Sequence, residues 1–250
     1  MLRHAIIISN PGEEGADDYC RGVQKDVDNY VSFLSSSYGG YWDRQDIELI
    51  PRPTVQELKD TIRQSNGCGY FLTIFSGHGY HSTVSDSTIL TLRRGEDIDS
   101  NELRLTSAKQ TIILDCCREK HNIHPNMLLL DSIEHMASAK FRPNPERCRR
   151  IYDQELEACS NEIVVLFASS TGQKAGDNDK KGGIYSYNLI KTSRDWTEDK
   201  YPSQGKYYSI SVVEAHNNTI APVKRMRGES QTPAIEKPRS GPYFPFCIVA

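Results

Sequence analysis

Gln110-Thr111-Ile112-Ile113-Leu114-Asp115-Cys116-Cys117-Arg118-Glu119 is the stretch that decides how this chain is read. β-Branched and apolar residues run to Leu114 and stop at an acid and two thiols, the pattern of a buried strand delivering polar groups to one edge of a sheet. Tyr70-Phe71-Leu72-Thr73-Ile74-Phe75 repeats the design and leads into Ser76-Gly77-His78-Gly79. In an open parallel sheet, ligands bind beyond the carboxyl ends of the strands. If the two strands are neighbours, His78 and Cys117 meet there as a Cys–His dyad, the imidazole serving as base or ion-pair partner of the thiol. Glycines on both sides of His78 allow a sharp turn and a close approach of backbone N–H groups to a ligand. Ser76 and Gly77 read as turn residues.

Working outward, His4 to Ser9 reads as a buried strand, expected to be central, and stops at Asn10-Pro11-Gly12. Val23, Val27, Tyr30, Val31 and Leu34 recur at helical spacing. Asp46 to Ile50 is a short strand, and Thr54 with Glu57 forms a capping box opening the next helix. This alternation implies an α/β fold, a three-layer α/β/α sandwich around a mainly parallel central sheet of about six strands. Beyond His78, Thr88 to Leu92 and an acidic turn at Glu96 to Asp99 suggest a hairpin outside the main sheet, followed by a helical turn at Ser100 to Leu103. Arg147 to Cys159 fits a helix, and Glu162 to Ala168 a strand. Further helices begin at Gly182-Gly183 and run from Ser209 to Ile220, before a last strand at Phe244 to Val249. The length suits one domain over residues 1–250, with 118–161 as a flexible or processed linker inside it.

Thirty basic and 33 acidic side chains leave a net charge of -3, so nucleic acid and membrane surfaces are not expected partners. Seven cysteines without repeating spacing argue against a secreted disulfide framework and for a reducing, cytoplasmic setting. No signal core and no membrane-length apolar run is evident. Cys116, Cys117, His121 and His124 are of metal-ligand type, but adjacent thiols on an extended strand face opposite ways and a C-x-x-C pair is missing, so no metal is expected. Ser76-Gly77-His78-Gly79-Tyr80 has neither the glycine spacing nor the lysine of a phosphate loop. His81, His135 and His216 read as surface or packing residues, and no cofactor is expected.

The pairing of Phe75-Ser76-Gly77-His78-Gly79 with Ile113-Leu114-Asp115-Cys116-Cys117 resembles the caspase-like cysteine peptidases, especially the metacaspase branch and its prokaryotic relatives. The resemblance implies that His78 and Cys117 are catalytic, with Cys116 the variable residue between acid and nucleophile. Gly79 and Cys117 would supply backbone N–H groups to the oxyanion. The animal-caspase core Gln-Ala-Cys is met only in outline, with Asp115 in the place of the glutamine. An acid there borders the pocket for the side chain preceding the cut and implies Arg or Lys. Gln173 and Asp177 match a substrate-binding loop of the family, whereas the acid often found just before that glutamine is replaced by Thr171 and Gly172. The extended acidic pattern that many metacaspases carry after the histidine is missing, so no calcium requirement is implied.

Lys140, Arg142, Arg147, Arg149 and Arg150 offer self-cleavage positions in the linker of a zymogen. Expected partners are a protein or peptide substrate and an activating protein or a second copy of the chain. The alternatives are a catalytically silent caspase-like binding or regulatory module, and a protease specific for Asp.

Overall fold

In chain order the strands of the computed structural model are β1 (Arg3–Asn10), β2 (Ile47–Pro51), β3 (Tyr70–Gly77), β4 (Gly79–Ser82), β5 (Ser87–Arg93), β6 (Glu96–Asp99), β7 (Lys109–Asp115), β8 (Ile163–Phe167), β9 (Tyr208–Ser211), β10 (Ala234–Glu236) and β11 (Pro245–Val249). The helices are α1 (Val23–Ser35), α2 (Val55–Gln64), α3 (Pro145–Ala158), α4 (Ile184–Thr197) and α5 (Val212–Arg227). The structure describes residues 1–105, 109–119 and 142–250.

Six strands make the main sheet in the order β10-β8-β7-β3-β1-β2, all parallel except β10. Side chains alternate across it with the period of two that a pleated strand imposes. Ala5, Ile7, Leu72, Ile74, Ile113, Val164 and Leu166 pack on one face against residues of α1, α3, α4 and α5. Ile6, Ile8, Phe71, Phe75, Ile112, Leu114, Val165 and Phe167 face the other way, onto α2 and the small antiparallel sheet β4-β5-β6. The three-layer α/β/α sandwich with a mainly parallel six-stranded sheet is thus the architecture observed, the layer beside α2 being completed by strands. The capping box opens α2 as expected, Glu57 N donating to Thr54 Oγ1 at 3.0 Å and Thr54 N to Glu57 Oε2 at 2.7 Å.

Three local expectations are corrected. β1 is interior but lies one strand from the edge, and β3 and β7 hold the centre. Glu96 to Asp99 is not a turn but the strand β6, the reversal falling before it at Gly95, which has φ +79°. Ser209 belongs to β9; α5 opens only at Ser211, whose hydroxyl accepts from Glu214 N at 3.2 Å. The last strand is found where expected, as β11, and pairs antiparallel with β9 outside the main sheet. Its all-apolar composition is met by burial beneath the helices, where Phe246 lies 5.0 Å from Phe33 between ring centroids and Tyr152 Oη donates to Pro245 O at 2.7 Å.

Within the interval 118–161, α3 is a regular helix capped by Asn144 and anchored by buried Cys148, Tyr152 and Leu156. Arg149 on it pairs with Asp43 and Asp46, both at 2.9 Å. Lys140, His121, His124 and His135 lie outside the described residues. Among the described residues, no helix is long and apolar enough to cross a membrane.

Candidate active site

β3 and β7 are adjacent and parallel, with Ser76 opposite Asp115 as the last paired residues. His78 and Cys117 each follow two positions later in sequence, so the two motifs leave the sheet in step on its carboxyl edge. Gly77, at φ +153°, makes the turn possible: a Cβ there would lie 2.4 Å from Asn10 O. Gly79 opens β4 against Cys116, and a side chain on it would meet Ile89 O at 2.8 Å and Cys116 Sγ at 2.9 Å. Cys116 is buried and belongs to the packing, whereas Cys117 is only partly covered.

The Cys117 thiol contacts Ala175 O at 3.7 Å. Burial pushes its pKa up, and Glu119 and Asp115 add to the shift. The resting group is therefore a thiol that needs a base before it can attack. His78 Nε2 lies 3.3 Å from Pro11 O and 3.7 Å from Cys20 Sγ. A carbonyl accepts and does not donate, so its partner is the protonated Nε2, which leaves the lone pair on Nδ1.

A cluster of acids completes the edge. Asp115 is buried, and its Oδ2 accepts from Ser186 N at 3.0 Å. Asp26, from the first turn of α1, is 1% exposed; it accepts from Ser76 Oγ at 2.6 Å and from Gly183 N at 2.9 Å. Burial first, and then the neighbouring Asp115, push the Asp26 carboxyl well above the usual carboxylate range. Asp115 is likewise pushed up, to about 6, by burial first. Among the described residues their hydrogen-bond partners are backbone N–H groups and the hydroxyls of Ser76 and Ser186, not a guanidinium or ammonium. Two buried carboxylates so placed are costly when ionised, and a cation brought between them relieves that cost.

Glycines shape the cluster. A Cβ on Gly183 would fall 2.3 Å from Asp115 Oδ2, and one on Gly182 2.1 Å from Asp26 Oδ1.

The remaining expected site residues hold the walls. Asp177 Oδ2 accepts from Gly22 N at 2.9 Å, closing the segment after β8 onto the start of α1. Burial raises the Asp177 pKa, while the backbone N–H groups of Gly22 and Asn178, and then nearby His78, pull it down. Gln173 spends its amide on the loop: Oε1 accepts from Thr232 N at 2.7 Å, and Nε2 donates to Glu229 O at 2.8 Å. Asp26 and Cys20 are not singled out by the sequence, and Ser76 is read there only as a turn residue. His216 is a packing residue, fully buried, 2.8 Å from Tyr185 Oη and lowered to about 4 by burial. His81 Nε2 lies 3.3 Å from Asp86 Oδ1. Among the described residues no group of three or more His, Cys, Asp or Glu side chains is arranged to hold a metal ion. A separate surface cavity of about 480 Å³, lined by Met1, Tyr41, Arg149 and Asp153 among others, contains none of the candidate site residues.

A histidine and a thiol delivered by neighbouring central strands, on the carboxyl edge of an α/β/α sandwich, are the equipment of a cysteine hydrolase. The profile of the caspase domain family, Peptidase_C14, matches residues 2–243, and the chain belongs to this family of cysteine peptidases. Among solved structures it is similar to caspase-1 from Spodoptera frugiperda, with a TM-score of 0.58 and 12% identity over 94% of this chain and 87% of that one. Identity at that level establishes the shared fold alone. Curated protein sequences give no match.

Proposed function

We propose that this chain is a cysteine endopeptidase that cuts proteins after Arg or Lys, with Cys117 as nucleophile and His78 as its base and acid. The observation that carries the specificity is the buried pair of Asp26 and Asp115, the latter two residues before the thiol, a pair that has hydrogen bonds but no cationic partner among the described residues. A guanidinium or ammonium entering beside them favours the ionised form of both carboxylates, whereas an aspartate would bring negative charge to a site already costly to ionise.

In the proposed reaction the Cys117 proton passes to His78 Nδ1 as sulfur attacks the peptide carbonyl carbon. The N–H groups of Gly79 and Cys117 receive the developing oxyanion. His78 then protonates the departing amine, and water attacks the thioester with the imidazole again acting as base, releasing the acid and restoring the thiol.

The interval before α3 is the place for zymogen processing. A protease needs extended chain, so Arg147, Arg149 and Arg150 inside the helix are poor sites, and Arg142, which is exposed and precedes it, is a better one. A second copy or an activating protein is the proposed partner, and the free cysteines suit a reducing cytoplasm. The test is a fluorogenic panel with Arg, Lys, Asp or Leu before the scissile bond, with Cys117→Ala as control. Cleavage after Arg or Lys that vanishes in the variant supports the reading. Cleavage after Asp refutes the pocket, and silence from protein cut at Arg142 favours the binding-module alternative.

A further inference from the structure

The segment between β1 and α1 touches the His78 ring twice. Pro11 contributes its carbonyl, 3.3 Å from Nε2, and Cys20 its thiol, 3.7 Å from the same atom. The two groups form one unit, because Cys20 N donates to Pro11 O at 2.8 Å and so closes the loop into a ring. The loop is fastened where it enters α1, by Gly22 N on Asp177 and by Arg21 on Asp179 at 3.6 Å. Gly12 lies against the imidazole so closely that a Cβ would be 2.9 Å from Nε2.

We infer that Cys20 is a positioning residue for His78: its thiol sulfur and the Pro11 carbonyl form a double acceptor for the Nε2 proton, holding the ring in the tautomer that leaves Nδ1 free to take the Cys117 proton. This rests on the reading of His78 as the base. A carbonyl at 3.3 Å alone is a long partner for a ring N–H and leaves the ring free to tilt. A second, softer acceptor on the same side narrows that freedom without adding a full charge beside the imidazole.

Burial pushes the Cys20 thiol up to about 12, with Asp177, Cys117, Asp18 and Asp115 adding to the shift, so it stays neutral at the pH of catalysis. Asp177, on the facing loop, is near enough to His78 for the imidazole to lower its pKa.

The test compares wild type with Cys20→Ala and Cys20→Ser, checked by thermal melting, on two readouts. On an Arg peptide, Cys20→Ala is expected to lower kcat by about tenfold, part of the roughly 10²- to 10⁴-fold that a positioned base supplies. KM is expected to stay within about twofold and Cys20→Ser to recover most of the loss, since a hydroxyl also accepts from an N–H. The second readout, alkylation of Cys117 by iodoacetamide against pH, followed by peptide mass, needs no substrate. Its midpoint should move in Cys20→Ala and return in Cys20→Ser.

Unchanged kcat and unchanged alkylation midpoint in Cys20→Ala would overturn the inference, as would a loss that serine fails to recover. His78→Ala separates the two levels. If it leaves the alkylation profile of Cys117 untouched, the dyad itself is wrong; if it changes the profile while Cys20→Ala does not, only the role of Cys20 falls.

Discussion

The two chemistries at the carboxyl edge of the sheet are built in different ways. The thiol and the imidazole come from adjacent central strands in fixed register, with the sheet as their ruler. The acid cluster is assembled from separate segments: Asp26 from α1, Ser76 from β3, Asp115 from β7, and the N–H groups of Gly183 and Ser186 from the start of α4. A dyad on strands is rigid by construction. The proposed pocket, made of four segments, depends on glycines that admit close approach.

Changes at the strand ends should have the largest effects. Cys117→Ala and His78→Ala are expected to remove peptide cleavage by roughly 10⁴-fold or more, because nucleophile and base act as one unit. Initial rates on an Arg peptide read this directly, with melting curves unchanged within about 1 °C, since neither side chain is in the packed core.

Pocket changes should separate specificity from reactivity. Asp26→Asn is expected to cut kcat/KM on Arg and Lys peptides by about 10²- to 10³-fold, the cost of removing one partner from a desolvated charge pair. Iodoacetamide alkylation of Cys117 should meanwhile remain close to wild type. Gly183→Ala should act the same way by displacing Asp115, with which its Cβ would collide at 2.3 Å.

Stability should move oppositely to function. Asp115 is raised from 3.8 to about 6, so between those values the native state holds a proton the unfolded state has lost, and stability falls as pH rises through that window. Asp115→Asn is therefore expected to be more stable than wild type at pH 7.5, by about 1 to 3 kcal/mol, with the gap closing toward pH 4. Urea melts at the two pH values read it. Cleavage after Arg by the wild type should decline as pH falls through about 6, where the pocket charge is lost. The smallest effect belongs to the wall. Gln173→Ala should cost about 1 to 2 kcal/mol of stability through its lost loop bonds, with little change in the preference for Arg.

What was legible in the sequence follows the same division. The strands ending at Asp115 and Ser76 were readable because buried parallel strands are unbroken apolar runs, and their adjacency puts the segments carrying His78 and Cys117 on one edge of the sheet. Asp115 was readable because it ends one of those apolar runs. Asp26 was not: it lies in the first turn of an ordinary amphipathic helix, where an acid is the usual response to the helix dipole. Only the fold brings that turn against Ser76 and Gly183. Ser76, read as a turn residue, supplies a hydroxyl to the cluster. Asp177 and Gln173 were placed on the correct loop, but their polar atoms are directed to Gly22 N, Thr232 N and Glu229 O. The strands β6 and β9 were missed because each is four residues long, too short for a period of two to show.

The central claim, that buried carboxylates read a positive charge beside a cysteine nucleophile, is tested most directly with two peptides identical except for Arg or its neutral isostere citrulline before the scissile bond. The wild type should cleave the arginine peptide at least about 100-fold more efficiently by kcat/KM, and Asp26→Asn should collapse that ratio to within about tenfold. Equal cleavage of the two peptides by the wild type, or a ratio that survives in Asp26→Asn, would contradict it.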